Sequence, residues 1–198
     1  MNKNFWDEKF GTKEFIYGTE PNEYLKEELV HLQKGKALFV CEGEGRNAVY
    51  AATKGWEVLA FDQSEEGKRK SNLLAQQKNT KIEFLIADAA EFTYGEELYD
   101  LVVLIYAHFP PYLRNHVHKQ CLQSLKPGGI LLLEAFNPKQ ISNNSGGPKD
   151  PTMLYSKEMM EEDFEGYNCH IEVLQTELHE GKYHEGIAEI IRVKVEKI

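Results

Sequence analysis

Short apolar runs alternate with longer segments of helical periodicity along most of the chain. Ala37–Cys41 is an apolar run of strand length, and Arg46–Lys54 after it is alanine-rich and helical. Trp56–Phe61 predicts the next strand, followed by a charged helix over Ser64–Lys78 with Ser64 as its N-cap. Ile82–Ile86 predicts a third strand. Asp100–Ile105 predicts a fourth, and its unbroken Leu/Val/Ile core is the pattern of a strand covered on both faces. A helix over Pro111–Leu125 stops at Pro127-Gly128-Gly129, and Ile130–Ala135 predicts the fifth strand. This alternation predicts an α/β fold with a doubly wound, mostly parallel sheet.

The pattern changes after Ala135. Residues 137–151, NPKQISNNSGGPKDP, are polar and rich in Asn, Gly and Pro. A loop of that length in a compact domain is usually a lid or disordered, and little apolar surface is present to hold it down. A short helix near Ser156–Phe164 follows. Two alternating runs, His170–Leu178 and Ile187–Val195, flank the polar Glu180–Gly186, so an antiparallel hairpin is expected at the end. The sheet then counts seven strands within one domain, 1–198, with an N-terminal arm over 1–30 and a lid over 137–151.

Composition narrows the functions. The 198 residues carry 23 basic and 32 acidic side chains, a formal net charge of -9. No basic stretch could track a phosphate backbone, so nucleic acid is not expected as a partner. No apolar run approaches the roughly 20 residues that span a bilayer. MNKNFWDEKF lacks the apolar core of a signal peptide, and Cys41, Cys121 and Cys169 are odd in number and far apart. A cytoplasmic protein with reduced thiols and no membrane partner is expected.

Chemistry concentrates where the first strand ends. Gly43-Glu44-Gly45 breaks the strand, and Arg46-Asn47 opens the helix. Glycines let a ligand approach the backbone, and a helix N-terminus offers unpaired N–H groups. Asp62 ends the second strand, where a carboxylate accepts hydrogen bonds from both hydroxyls of a ribose. Asp88, with Ala89, ends the third and suits an adenine amino group. These residues predict a nucleoside-containing cofactor. Gly43-x-Gly45-x-x-Ala48 also fits the dinucleotide fingerprint, so an NAD(P)-dependent oxidoreductase competes. Against it stand the terminal hairpin, Asp88, and the lack of a well-placed acid–base pair. Tyr50 and Lys54, the only Tyr-x-x-x-Lys, lie too early.

Further residues carry weaker signals. Tyr106, Ala107 and His108 follow the fourth strand, where ligands lie in open α/β sheets. His108 there could orient a nucleophile or take its proton. Glu134 and Asn137 end the fifth strand, and Arg114 reads more readily as a surface ion pair than as an anion contact. His116-x-His118-x-x-Cys121 is not a metal motif, because helical residues two apart point about 200° from each other. Phe5, Trp6, Phe10, Phe15 and Tyr17 either form a flap over the cofactor or pack the arm.

Gly43–Tyr50, Gly55, Val58, Ala60, Asp62, Ala87-Asp88, Tyr99-Asp100, Leu125–Gly129 and the final hairpin together resemble the class I S-adenosylmethionine (SAM)-dependent methyltransferases. Within them the chain is most similar to the small tellurite-resistance and thiopurine-methyltransferase-like group, with Phe5-Trp6-Asp7, Tyr17-Gly18 and Pro21-Asn22 sharing its look. The resemblance implies a Rossmann-like methyltransferase fold and a SAM site at Gly43, Glu44, Gly45, Arg46, Asn47, Asp62, Gln63, Asp88, Ala89 and Tyr17. His108 and Tyr106 are implied at the reacting end. It implies a small-molecule acceptor, a thiol, selenol or metalloid oxyanion such as tellurite, since no carboxylate–histidine set is evident. A SAM-binding domain without catalysis is the other alternative. One residue departs from the pattern: Phe39 stands where the superfamily often has an acid.

Overall fold

A computed structural model describes residues 3–198. Five parallel strands form most of one sheet: β1 (Lys36–Val40), β2 (Glu57–Asp62), β3 (Glu83–Ile86), β4 (Tyr99–Ile105) and β5 (Leu125–Phe136). β6 (Asn168–His179) and β7 (Glu185–Glu196) complete it as the expected antiparallel hairpin. The strand order is β3-β2-β1-β4-β5-β7-β6, so β7 lies between β5 and β6 and runs antiparallel to both. The helices are α1 (Lys3–Phe10), α2 (Glu23–Leu29), α3 (Arg46–Thr53), α4 (Glu65–Gln77), α5 (Pro111–Ser124) and α6 (Lys157–Asp163).

Period-two alternation gives the central strands two buried faces. Leu38, Val40, Val102, Leu104, Leu131 and Leu133 face one core, which Val117, Cys121 and Tyr155 complete. Ala37, Phe39, Leu101, Val103 and Leu132 face the other, closed by Tyr24, Leu25, Ala48 and Trp56. Phe39 is therefore a core residue, and an acid in its place would be buried among apolar side chains.

β5 is longer than its apolar run because Leu125 already pairs with Tyr99, and the register then shifts before Leu101 pairs with Ile130. Lys126–Gly129 forms that irregularity, with the Gly128 N–H donating to the Lys197 carbonyl at 2.7 Å. The ladder thus absorbs the helix-stop signal. Chain order reverses between β1 and β4, which places the ligand crevice of a doubly wound sheet at their carboxyl ends.

Candidate active site

The backbone is strained where β1 and β4 end. Cys41 and Tyr106, the residues directly after these neighbouring strands, have φ of 54° and 55°. Left-handed non-glycine residues are costly and gather at ligand sites. Gly43 and Gly45 also turn left-handed, at 62° and 90°. A Cβ on Gly45 would lie 2.1 Å from Ser71 Oγ, and one on Gly67 would lie 2.7 Å from the Gly43 carbonyl. These glycines therefore let the loop lie against α4.

Two carboxylates hold the loop. Asp62 Oδ2 accepts from the Gly43 N–H at 3.0 Å, and its Oδ1 accepts from the Ser64 N–H at 2.9 Å. Glu42 Oε1 accepts from the Asn47 and Ala48 N–H groups at 2.9 and 2.7 Å, at the start of α3. They serve the loop and helix amides, and no acid is needed at Phe39. Burial pushes Asp62 up to about 6 and Glu42 up to about 8. Gln63 joins Asp62 to Ser64, which caps α4 by accepting from the Gly67 N–H at 3.0 Å. Asp88 Oδ1 accepts from the Ala90 N–H at 2.9 Å, and Ala89 is buried in the first core.

The arm closes over this loop. Glu44 is buried; it accepts from Lys70 Nζ at 2.6 Å and from the Ile16 and Tyr17 N–H groups at 2.9 and 3.3 Å. Asn47 Oδ1 accepts from the Asn22 N–H at 2.9 Å. Two residues expected at the cofactor thus also anchor the arm. Phe10 lies across Gly43 and stacks on Trp6 with centroids 5.3 Å apart. Tyr17 receives a 2.7 Å hydrogen bond from Lys9 Nζ, and burial raises its pKa.

Beyond β4, Tyr106 OH donates to Glu134 Oε1 at 2.8 Å. Glu134 also accepts from Asn22 Nδ2 at 2.6 Å and from Arg192 Nε at 2.7 Å. His108 has both nitrogens engaged: Nδ1 lies 2.7 Å from the Met153 carbonyl, and Nε2 accepts from the Phe136 N–H at 3.2 Å. Burial pushes its pKa down to about 4. The ring is neutral at pH 7, and the lone pair expected to take a proton is already occupied. In this arrangement His108 orients backbone.

The β6–β7 turn brings residues that the sequence did not single out. Glu180 Oε2 accepts from Arg46 Nη2 at 2.6 Å, and Glu180 Oε1 accepts from Asn22 Nδ2 at 2.9 Å. His184 Nδ1 lies 3.9 Å from Glu180 Oε2, so a carboxylate and a histidine stand side by side here, beyond hydrogen-bond distance. The only hint in the sequence was a Glu and a His four apart in a hairpin turn. A cleft of about 430 Å³ opens between residues 17–23 and the end of β6, with Glu134, Glu180 and Arg192 in its lining.

Arg114, His118 and residues 137–151 have partners that the sequence does not reveal. Arg114 pairs with Asp163 at 2.7 Å, but as a nearly buried pair, because α6 covers it. His118 Nδ1 also contacts Asp163 at 2.7 Å, and no cluster of potential metal ligands occurs among the described residues. Residues 137–151 are fastened by polar groups in place of apolar ones. Gln140 Oε1 accepts from the Glu189 N–H at 2.8 Å, and Asn137 Nδ2 donates to the Ile190 carbonyl at 3.0 Å. The segment has little apolar surface to hold it down, as expected, and these polar contacts to β7 tie it instead.

Residues 37–129, from the start of β1 through the β5 irregularity, match the family described as methyltransferase domain. This chain carries a methyltransferase domain. Its cofactor is SAM. The match takes in Gly43, Asp62, Asp88 and His108 and ends before the terminal hairpin. No curated protein matches the chain. The fold is that of several solved structures. One comes from work on the conversion of a disulfide bond into a thioacetal group during echinomycin biosynthesis, with TM-score 0.80, 17% identity, 98% of this chain and 91% of that one. TehB from Haemophilus influenzae gives 0.73 at 16% identity, over 99% of this chain and 67% of that one. A SAM-dependent methyltransferase from Methanosarcina mazei gives 0.66 at 18%, over 86% and 97%. The oxidoreductase alternative is not favoured. No helix among the described residues is long and apolar enough to cross a membrane.

Proposed function

We propose that this methyltransferase acts on a small-molecule acceptor with a soft nucleophilic atom, such as a thiol, a selenol or a metalloid oxyanion. The observation that carries the reading is the packed polar and aromatic cluster after β4, where Tyr106 meets the arm and the β6–β7 turn. Tyr106 lies 4.7 Å from Phe136 and 4.4 Å from His184, centroid to centroid. Close packing of this kind suits a compact acceptor, and the net charge of -9 disfavours a polyanionic one. The resemblance to the tellurite-resistance and thiopurine-methyltransferase-like group supports the soft acceptor. The disulfide-to-thioacetal conversion named for one similar structure is also sulfur chemistry.

The residues present suit the cofactor. Asp62 offers a buried carboxylate at the end of β2 for the ribose, and Asp88 with Ala89 stands at the end of β3 for the adenine. Gly43 and Gly45 keep the loop free of side chains, and Arg46, Asn47, Gln63 and Tyr17 surround it. When bound, SAM supplies a methyl group on a sulfonium that leaves as a neutral thioether, so no residue need protonate the leaving group. The chain's part is alignment and exclusion of water. The arm and the 137–151 segment serve as covers, and Glu44 acts through the arm it holds. Incubation with SAM and a panel of thiols, selenite, tellurite and arsenite, read by S-adenosylhomocysteine (SAH) release, tests the proposal. Turnover confined to DNA, RNA or protein would overturn it.

A further inference from the structure

His184 is buried, at 5% exposure, yet its Nδ1 has no hydrogen-bond partner among the described residues. A buried nitrogen without a partner is rare in folded proteins and asks for an explanation. His108, by contrast, has both nitrogens bonded. Separate stretches of chain converge on the unpaired ring. Tyr17 of the arm, Tyr106 after β4 and Phe136 at the end of β5 wall it, with ring centroids 4.5, 4.4 and 5.3 Å away. A Cβ on Gly146 would lie 2.6 Å from His184 Cδ2, and one on Gly181 would lie 2.5 Å from the Gly18 amide nitrogen. Glycine at these positions lets the 137–151 segment touch the ring and lets the β6–β7 turn touch the arm.

We propose that His184 is a catalytic residue that takes the proton of the methyl acceptor, with Glu180 as its counter-charge. The inference rests on the methyl-transfer reading above and assigns that site its base. The acceptor's S–H bond breaks and its proton passes to His184 Nδ1. The sulfur lone pair forms the new bond to the methyl carbon, and the methyl–sulfonium bond breaks with its electron pair on the departing sulfur. The products are a methyl thioether, a neutral leaving thioether and an imidazolium, which later loses its proton to water. Nδ1 is sealed in this arrangement, so admitting the acceptor requires the 180–185 turn to shift outward.

The charges around the ring suit this role. Burial lowers the His184 pKa; Arg46 from α3 and Lys9 from α1 push it the same way, against the pull of Glu180. Tyr17, Tyr106 and Tyr183 are the other titratable groups around it. Burial, the largest influence on Glu180, works to raise it, yet His184 and Arg46 together hold it down to about 2. At neutral pH the site holds a neutral imidazole beside a carboxylate, the state that can receive a proton and stabilise the cation formed.

Aryl thiols of graded acidity test the proposal with SAM as donor. His184→Gln should lose about 100-fold in kcat on the least acidic thiol. It should lose progressively less on more acidic thiols, and alkaline pH should restore it. SAH affinity by calorimetry should be unchanged. Proton NMR of the SAH-saturated protein should show the His184 ring signals move when thiophenol is added. His184→Phe preserves ring packing and should fail in the same graded way. A loss equal across the series, no loss, or the graded loss appearing in His108→Gln instead would overturn the proposal. So would a wild-type protein that binds SAH and methylates none of these thiols; SAH release with another acceptor would then leave the methyl-transfer reading standing. Failure to bind SAH or SAM at all would overturn both.

Discussion

Glu44→Gln is the sharpest probe of how the arm is held. Glu44 and Lys70 side chains are 2% and 1% exposed and form an ion pair at 2.6 Å. Glutamine keeps the shape and can still accept from the Ile16 and Tyr17 N–H groups, but it removes the charge. Lys70 is then a buried ammonium left with the Glu14 carbonyl, Thr12 Oγ1 and the face of Phe15 but no counter-charge. Breaking one side of a buried pair costs about 3–5 kcal/mol. That is a large share of the roughly 5–15 kcal/mol that holds a domain together, and it should lower Tm by about 10 °C. Lys70→Met in the same chain removes the stranded charge and should recover at least half the loss. Urea unfolding of the wild type, both single variants and the double variant gives the coupling, with Trp6 in the arm and Trp56 before β2 as separate fluorescent reporters. A coupling above about 2 kcal/mol is expected. Single-variant effects that add to within about 0.5 kcal/mol would refute the buried pair as the arm's anchor.

Further outcomes follow from the same contacts. Glu42 is raised from 4.5 to about 8 in the folded state, so its stabilising contribution is full below pH 4.5 and is lost as pH rises through 8. Thermal melts of wild type and Glu42→Gln between pH 6.5 and 8.5 should diverge, with Tm falling in the wild type and nearly flat in the variant; parallel curves would count against it. Cys41→Gly should stabilise the protein by about 1 kcal/mol by relieving a φ of 54°, and a loss of stability would show the strain to be absent. Asp62→Asn should weaken SAM binding by about 1–3 kcal/mol in calorimetry, because the glycine loop loses a charged acceptor. Unchanged affinity would remove Asp62 from the site. Gln140→Ala should make residues 137–151 sensitive to limited proteolysis, whereas continued resistance would mean that other contacts hold the segment.

The fold was largely legible because its strands are short apolar runs between strong punctuation. Ser64 capped α4 as its residue type suggested, and Pro127-Gly128-Gly129 ended α5 close to where the pattern stopped. Boundaries slipped where pairing extends beyond apolar residues, as in β6 and β7, whose ladder runs from Asn168 with Glu196 to His179 with Glu185. The site was legible only in part, because sequence reveals which residue types lie at strand ends but not what their side chains already hold. Glu44, Arg46 and Asn47 lie in the loop region as expected, yet each is engaged by a residue 25 to 134 positions away. Glu180 and His184 left only the faint hint of their spacing, because a hairpin turn carries no signal for the crevice it folds back upon. In residues 137–151 the sequence shows polarity but not its partners, and Gln140 and Asn137 spend theirs on hydrogen bonds to β7.

Methyl transfer itself is tested most directly with SAM carrying a deuterated methyl group. The protein, labelled SAM and the thiol panel are incubated together and the acceptors are examined by mass spectrometry. A deuterated methyl group on an acceptor sulfur, with one SAH released for each, is the predicted result. Tight SAM binding with no labelled acceptor and no SAH formed, across thiols, selenite, tellurite and arsenite, would contradict small-molecule methylation at this site.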